Sequence, residues 1–232
     1  MALSLIQIVQ RLMPRLGFRA ATIATTSTDL NVQIITQAVQ EEGDELMRAH
    51  DWNVLTTEYT VATVAAQAQT ALPTDFDRLV ERTVIWNRSL NMPYLGPAEP
   101  NMWDELKSGQ VSAGYVGWWR LIGGRLNIFP TPTAGETLAF SYIANTWAAS
   151  AGGTPQSSFL LDSDLPRLPD HLFVPGARWR YKSARGLDYA EDMATYERLK
   201  ERATANDRGL RIIRKSNARS TMSPTWPGTI TA

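Results

Sequence analysis

The chain has no cysteine. Disulfides, thiolate zinc sites and cysteine nucleophiles are excluded, and the composition fits a reducing compartment. Histidine is nearly missing: His50 and His171 are the only two imidazoles in 232 residues. There is no Gly-x-Ser-x-Gly elbow and no Gly-rich phosphate loop, so the short signatures of acyl and phosphoryl transfer are absent. No apolar run reaches the about 18 residues of a membrane-crossing helix. The apolar stripe at the start is broken by Gln7, Gln10 and Arg11 and has no basic lead, so a secretory leader is not expected. Net charge is missing too. Lys plus Arg and Asp plus Glu each number 23, and no global field draws the chain to nucleic acid or to a lipid surface.

What is present is uneven. Residues 1–166 hold 10 basic and 16 acidic side chains, whereas 167–232 hold 13 basic and 7 acidic. An acidic partner is therefore expected at the C-terminal part. Hydrophobic residues make up 44% and charged residues 20%, enough apolar material for a core. Eight tryptophans point first to core packing and second to interfaces.

Hydrophobic period divides the chain. Leu5, Val9, Leu12 and Met13 mark a helix that Pro14 should end or kink. Asp29 caps a second helix, 29–50, with an expected buried stripe of Leu30, Ile34, Ala38 and Leu46, flanked by Ile35 and Val39. Gly43 inside it predicts close approach of another backbone. From Trp52 the period falls to two, with strands expected near 54–63, 78–87, 115–122, 125–129 and 137–147 and a short helix within 97–108. Phe129-Pro130-Thr131-Pro132 followed by an alternating strand reads as a hairpin that packs one face, the prolines marking a strand end or sheet edge. Helical spacing returns over 170–185 and 188–207, the latter with Tyr189, Met193, Tyr196, Leu199 and Ala203 in line.

The expected fold class is α+β. N- and C-terminal helices (1–51 and 169–208) form one bundle, into which an antiparallel β-sandwich or barrel (52–148) is inserted. A Gly- and Pro-rich linker (149–168) and an extended tail (209–232) complete the chain. The tail has too few apolar groups to fold alone.

Candidate chemistry is sparse. Glu41, Glu42, Asp44 and Glu45 spread around a helix and read as a solvated face rather than a metal cluster. The pairs Asp75/Asp77, Asp104/Glu105 and Asp162/Asp164 read as turns and caps, with glycoside hydrolysis as the sharper alternative. His50 at a helix end reads as a cation facing the helix dipole. Trp118-Trp119 on a strand point to opposite faces, one into the core and one free to stack on a sugar or a neighbouring subunit. The tail residues Arg208, Arg211, Arg214, Lys215 and Arg219 could bind phosphate. The interspersed Leu210, Ile212, Ile213, Met222, Trp226 and Ile230 fit better a peptide that orders on a protein surface.

Certain stretches resemble the head-to-tail adaptor proteins of tailed bacteriophages, including the podovirus tail tubular A proteins. They are the Asp29-capped helix, Glu41-Glu42-Gly43-Asp44-Glu45-Leu46, Asp51-Trp52-Asn53-Val54-Leu55, Leu72-Pro73-Thr74-Asp75-Phe76, the strand 126–129 ending in Pro130-Thr131-Pro132, and Phe140-Ser141-Tyr142-Ile143. The likeness runs over about residues 1–208, and 149–168 have no counterpart in it. It implies a non-enzymatic virion protein, assembled in the host cytoplasm without a cofactor. By resemblance it would form a dodecameric ring beneath the portal, with the tail or nozzle protein below and DNA passing through the channel without sequence-specific binding. Portal docking is expected of Arg211, Ile212, Ile213, Arg214, Lys215 and Trp226. A subunit or tail interface is expected of Trp118, Trp119, Arg178, Arg180 and Arg185. The competing readings are a carbohydrate-binding or glycan-degrading β module, and a DNA-binding protein that uses the basic tail.

Overall fold

A computed structural model describes residues 3–81, 83–108 and 117–207. Its helices are α1 (Leu5–Leu12), α2 (Leu30–Ala49), α3 (Pro100–Ser108), α4 (Phe173–Ala184) and α5 (Ala190–Asp207). Its strands are β1 (Thr56–Ala62), β2 (Ala68–Ala71), β3 (Phe76–Leu79), β4 (Ile85–Asn87), β5 (Met92–Tyr94), β6 (Trp118–Ile122), β7 (Arg125–Phe129), β8 (Thr137–Ala144), β9 (Ala148–Ala149), β10 (Pro155–Gln156) and β11 (Leu165–Pro166). Helices and antiparallel sheets together make an α+β protein.

In α1, Leu5, Ile8, Val9 and Leu12 are buried on one face. The Ser4 amide donates to Gln7 Oε1 at 3.1 Å, satisfying one free donor at the helix start. Pro14 has the effect expected of it. The α-helix ends at Leu12, and the chain tightens into a 3₁₀ turn over Met13–Leu16 that stops at Gly17.

Asp29 caps α2 as expected, accepting from the Asn31 amide at 2.8 Å. The buried face differs from the expected stripe. It runs through Val32, Ile35, Ala38, Val39, Gly43, Leu46 and Met47, while Leu30 is 59% exposed. Ala38, Leu46 and the flanking Ile35 and Val39 are buried as expected, and Ile34 packs partly against the same core; Leu30 is the member of the stripe that faces solvent.

One core takes side chains from α1, α2, α4 and α5, with Trp52, Leu55, Ile143 and Trp147. Residues 149–168, expected as a linker, contribute Phe159 and Leu168 to this core. They also form the small sheet β10–β9–β11. The Trp147 ring meets Phe159 edge-on (centroids 4.8 Å apart) and stacks on Phe173 at 6.0 Å. Its Nε1 donates to Asp44 Oδ1 at 2.8 Å. The face of the ring lies where a side chain at position 43 would be. Gly43 therefore admits an indole, not the backbone that its place in the helix suggested.

The β block has two sheets. β8 is central to the larger one, with β1 on one side and both β4 and β3 on the other, and β5 beyond β4. The smaller sheet is β2–β7–β6. Leu138, Phe140 and Tyr142 of β8 share an apolar cluster with Trp119, Leu126 and Ile128 of the smaller sheet. The strand expected over 78–87 is two short strands, both on the same side of β8. The hairpin expected across Pro130 and Pro132 is a crossover: β7 and β8 lie in different sheets. Proline offers no ladder donor, so β7 cannot continue, and the chain changes sheet there. Nor does β8 pack one face only. Leu138, Phe140, Tyr142 and Ala144 face the β cluster, while Ile143 enters the helical core.

Gly43→Ala is expected to destabilise the protein by about 1–3 kcal/mol, because the added methyl overlaps a confined ring. At a solvated helical position the same change stabilises by roughly 1 kcal/mol. Urea unfolding distinguishes the two signs.

Candidate functional site

The acidic run on α2 is where sequence and structure differ most. Successive residues on a helix lie about 100° apart, so the four carboxylates cannot share one environment. Glu42 is 0% exposed and points at α4. Gly176 makes the space; a methyl there would strike the Glu42 carboxylate. Arg180 Nε donates to Glu42 Oε2 at 3.0 Å, and its Nη2 reaches Glu45 Oε2. Lys200 Nζ donates to Glu45 Oε1 at 3.2 Å. Arg180 also stands over the Trp179 ring, 4.6 Å from its centroid. The buried Tyr196 hydroxyl lies beside Glu42. Burial raises the Glu42 pKa against the pull of Tyr196 and Arg180. Burial raises the Glu45 carboxyl too, but hydrogen bonds and charge from Arg180 and Lys200 prevail and hold it below the usual range. Burial and the Glu42 charge push the Tyr196 phenol upward. The expected solvated face is thus, at Glu42 and Glu45, a polar joint between α2, α4 and α5.

The other arginines of α4 are also engaged within the chain. Arg178 Nη1 lies 3.3 Å from Asp192 Oδ1, and Lys182 Nζ lies 2.5 Å from Oδ2. Arg185 Nε donates to Tyr181 Oη at 3.3 Å, and its Nη2 meets Asn31 Oδ1. Arg178, Arg180 and Arg185 therefore join α4 to α5, to the middle of α2 and to its start. Trp118 and Trp119 lie elsewhere, on β6. Trp119 is 1% exposed, and Trp118 packs against Ala98, Trp103 and Leu106. Trp119 is thus the core ring of the pair, and Trp118 remains partly exposed. Arg211, Ile212, Ile213, Arg214, Lys215 and Trp226 lie outside the described residues.

The joint between helices and sheets was missed by sequence reasoning. Arg78 on β3 reaches the end of α2, where Nη2 donates to the Met47 and His50 carbonyls at 3.0 Å and Nε to Asp51 Oδ1 at 3.0 Å. It thereby satisfies carbonyls that a helix end leaves free. His50, at the end of α2, is 6% exposed and lies 3.1 Å from Asp207 Oδ2 at the end of α5. The Asn53 amide donates to the same oxygen at 3.0 Å. The one available signal was the Asp51-Trp52-Asn53-Val54-Leu55 motif. Asp51 accepts from Arg78 and from the Glu81 amide, Trp52 Nε1 donates to the Leu46 carbonyl at 2.7 Å, and Leu55 is buried.

The Leu72-Pro73-Thr74-Asp75-Phe76 motif makes a second joint. The Phe76 amide donates to Pro73 O at 3.1 Å, closing the turn. Asp75 Oδ1 accepts from Tyr142 Oη at 2.8 Å, and the Asp75 carbonyl from the Asn145 amide at 2.8 Å. Burial and then Asp75 push the Tyr142 phenol up to about 12. Of the other carboxylate pairs, Asp164 closes a turn as expected, whereas Asp162 ties two distant stretches of chain and Asp104 forms an ion pair within α3. Asp162 accepts from the Ala24 and Thr25 amides, Asp164 from those of Leu160 and Leu161, and Asp104 pairs with Lys107. Among the described residues no group of acidic or histidine side chains is placed to hold a metal ion.

A family model described as SU10 adaptor protein matches residues 2–227. No curated protein matches the sequence significantly.

Arg180→Met should cost roughly 3–5 kcal/mol, because it leaves the Glu42 carboxylate buried without its cation. Adding Glu42→Gln should restore part of the loss, which a double-mutant cycle in urea reads directly. The pH dependence has a defined sign. Since folding raises the Glu42 pKa, this group's stabilisation is complete below its unfolded value near 4.5 and is lost as pH rises through the folded value. The wild type should thus lose stability relative to Glu42→Gln between acid and neutral pH; a difference flat with pH would contradict the assignment.

Proposed function

Because the chain belongs to the SU10 adaptor protein family, a family of phage structural adaptor proteins, we propose that it joins the portal to the tail. Copies of the chain form a ring, by resemblance a dodecamer, beneath the portal, and the ring continues the DNA channel without reading sequence. The observation that carries this reading is the family match, which spans 2–227 and so includes most of the basic C-terminal segment. That segment docks on the portal, with Arg211, Arg214 and Lys215 meeting acidic groups and Ile212, Ile213 and Trp226 supplying apolar anchors. The opposite side of the ring receives the tail or nozzle protein.

The helical and sheet joints support a role as a rigid spacer. Arg78 and Asp51 bind the β block to the end of α2 through side chains with several partners each. The protein works by position and not by turnover, as an adaptor requires.

Size-exclusion chromatography with mass detection tests the proposal. The full chain should co-elute with the portal ring encoded in the same genome, at about one copy per portal subunit. Deletion of 209–232 should weaken that complex by roughly tenfold or more, the scale of losing anchored side chains. Co-elution undiminished by the deletion would remove the tail from the interface. No complex from the folded full chain would remove the portal.

A further inference from the structure

A cleft of ≈ 340 Å³ opens between α1, α4 and α5, away from the joints described above. Arg11 and Arg15 line one side, His171 and Arg178 the other. Arg11 and Arg15 are one helical turn apart, a spacing at which like charges repel. Among the described residues, neither arginine nor His171 has a hydrogen-bond or ion-pair partner, and all three are exposed. The one carboxylate in the lining, Asp192, already holds Arg178 and Lys182. Arg178 Nε is buried without an acceptor, which costs free energy unless a ligand supplies one. The cleft therefore carries surplus positive charge and a buried donor with nothing to receive it. Its walls are also apolar, with Leu3, Val174, Pro175 and Leu199 between the charges.

We infer that this cleft binds an acidic peptide segment of another protein, with carboxylates on Arg11, Arg15 and Arg178 and an aliphatic side chain against Val174 and Leu199. Paired arginines match carboxylates through two parallel hydrogen bonds. The occupant does not come from the parts of this chain outside the described residues. Residues 1–2, 82, 109–116 and 208–232 contain no Asp or Glu and carry six Arg and Lys. Their side chains would add to the repulsion. A nucleic-acid backbone fits less well, since it needs a line of cations along an extended surface, whereas these cations enclose a volume of ligand-pocket size with apolar walls.

Fluorescence anisotropy on the full chain tests the inference, without portal present, so failure here leaves the portal assignment untouched. The probe is a short labelled peptide of alternating Glu and Leu. The comparators are the matching Gln-Leu peptide and a labelled single-stranded DNA of equal charge. The Glu-Leu peptide should bind at least about tenfold tighter than either comparator, as charge-assisted hydrogen bonds to arginine imply. The double variant R11E/R15E should lose that binding, while R125E, on the exposed side of β7, should keep it. Thermal melts verify that the variants fold; if the reversed pair does not, R11Q/R15Q carries the same comparison. Equal loss in R125E, tighter binding of the DNA, or no preference for Glu over Gln would each overturn the proposal.

Discussion

The fold turns on a helical position that has no side chain. Gly43 lets the Trp147 indole lie flat against α2, and that ring is 0% exposed. Trp147 follows the end of β8 by three residues, so seating it fixes where the central strand of the larger sheet terminates. Phe159 and Phe173 close around the same ring. One aromatic cluster thereby binds the β block, the segment 149–168 and α4 to a single helix. A buried tryptophan removes some 150–250 Å² from water, and here that burial requires four stretches of chain to be in place together.

Around this centre the polar joints fix orientation. Arg78 caps α2 from the sheet side, Glu42 and Arg180 bind α4 to α2, and Asp207 ties the end of α5 to the start of the β block. Buried ion pairs often contribute little net stability, because desolvation offsets their attraction. They do penalise any arrangement that separates them.

Much of this was legible in the sequence, for local reasons. The periodicity of α1 and of Trp103 and Leu106, the Asp29 cap and the stop at Pro14 are all signals carried by residues close together in the chain. The failures needed distant partners. Glu42 reads as solvated until Gly176 and Arg180 arrive from more than 130 positions away. Leu30 is spaced as regularly as the buried residues of α2, and nothing local shows that it lies outside the core. The pairing of β8 with β1, and not β7, is decided by which sheet the prolines release the chain into. For the site, charge asymmetry pointed to the C-terminal part; within it Arg178, Arg180 and Arg185 have internal partners, and the basic tail lies outside the described residues. Arg11 and Arg15, which have no side-chain partner among the described residues, sit at the other end of the sequence.

The sharing of one core by both ends of the chain sets a clock for biosynthesis. Leu5, Ile8 and Val39 bury themselves against partners as late as Tyr196 and Ala203. Translation at about 5–20 residues per second leaves α2 without those partners for roughly 8–30 s after its last residue is made. During that interval the core around Ile35, Val39 and Leu46 lacks its last members. The core is complete only once α5 has supplied Tyr196 and Ala203, near the end of synthesis.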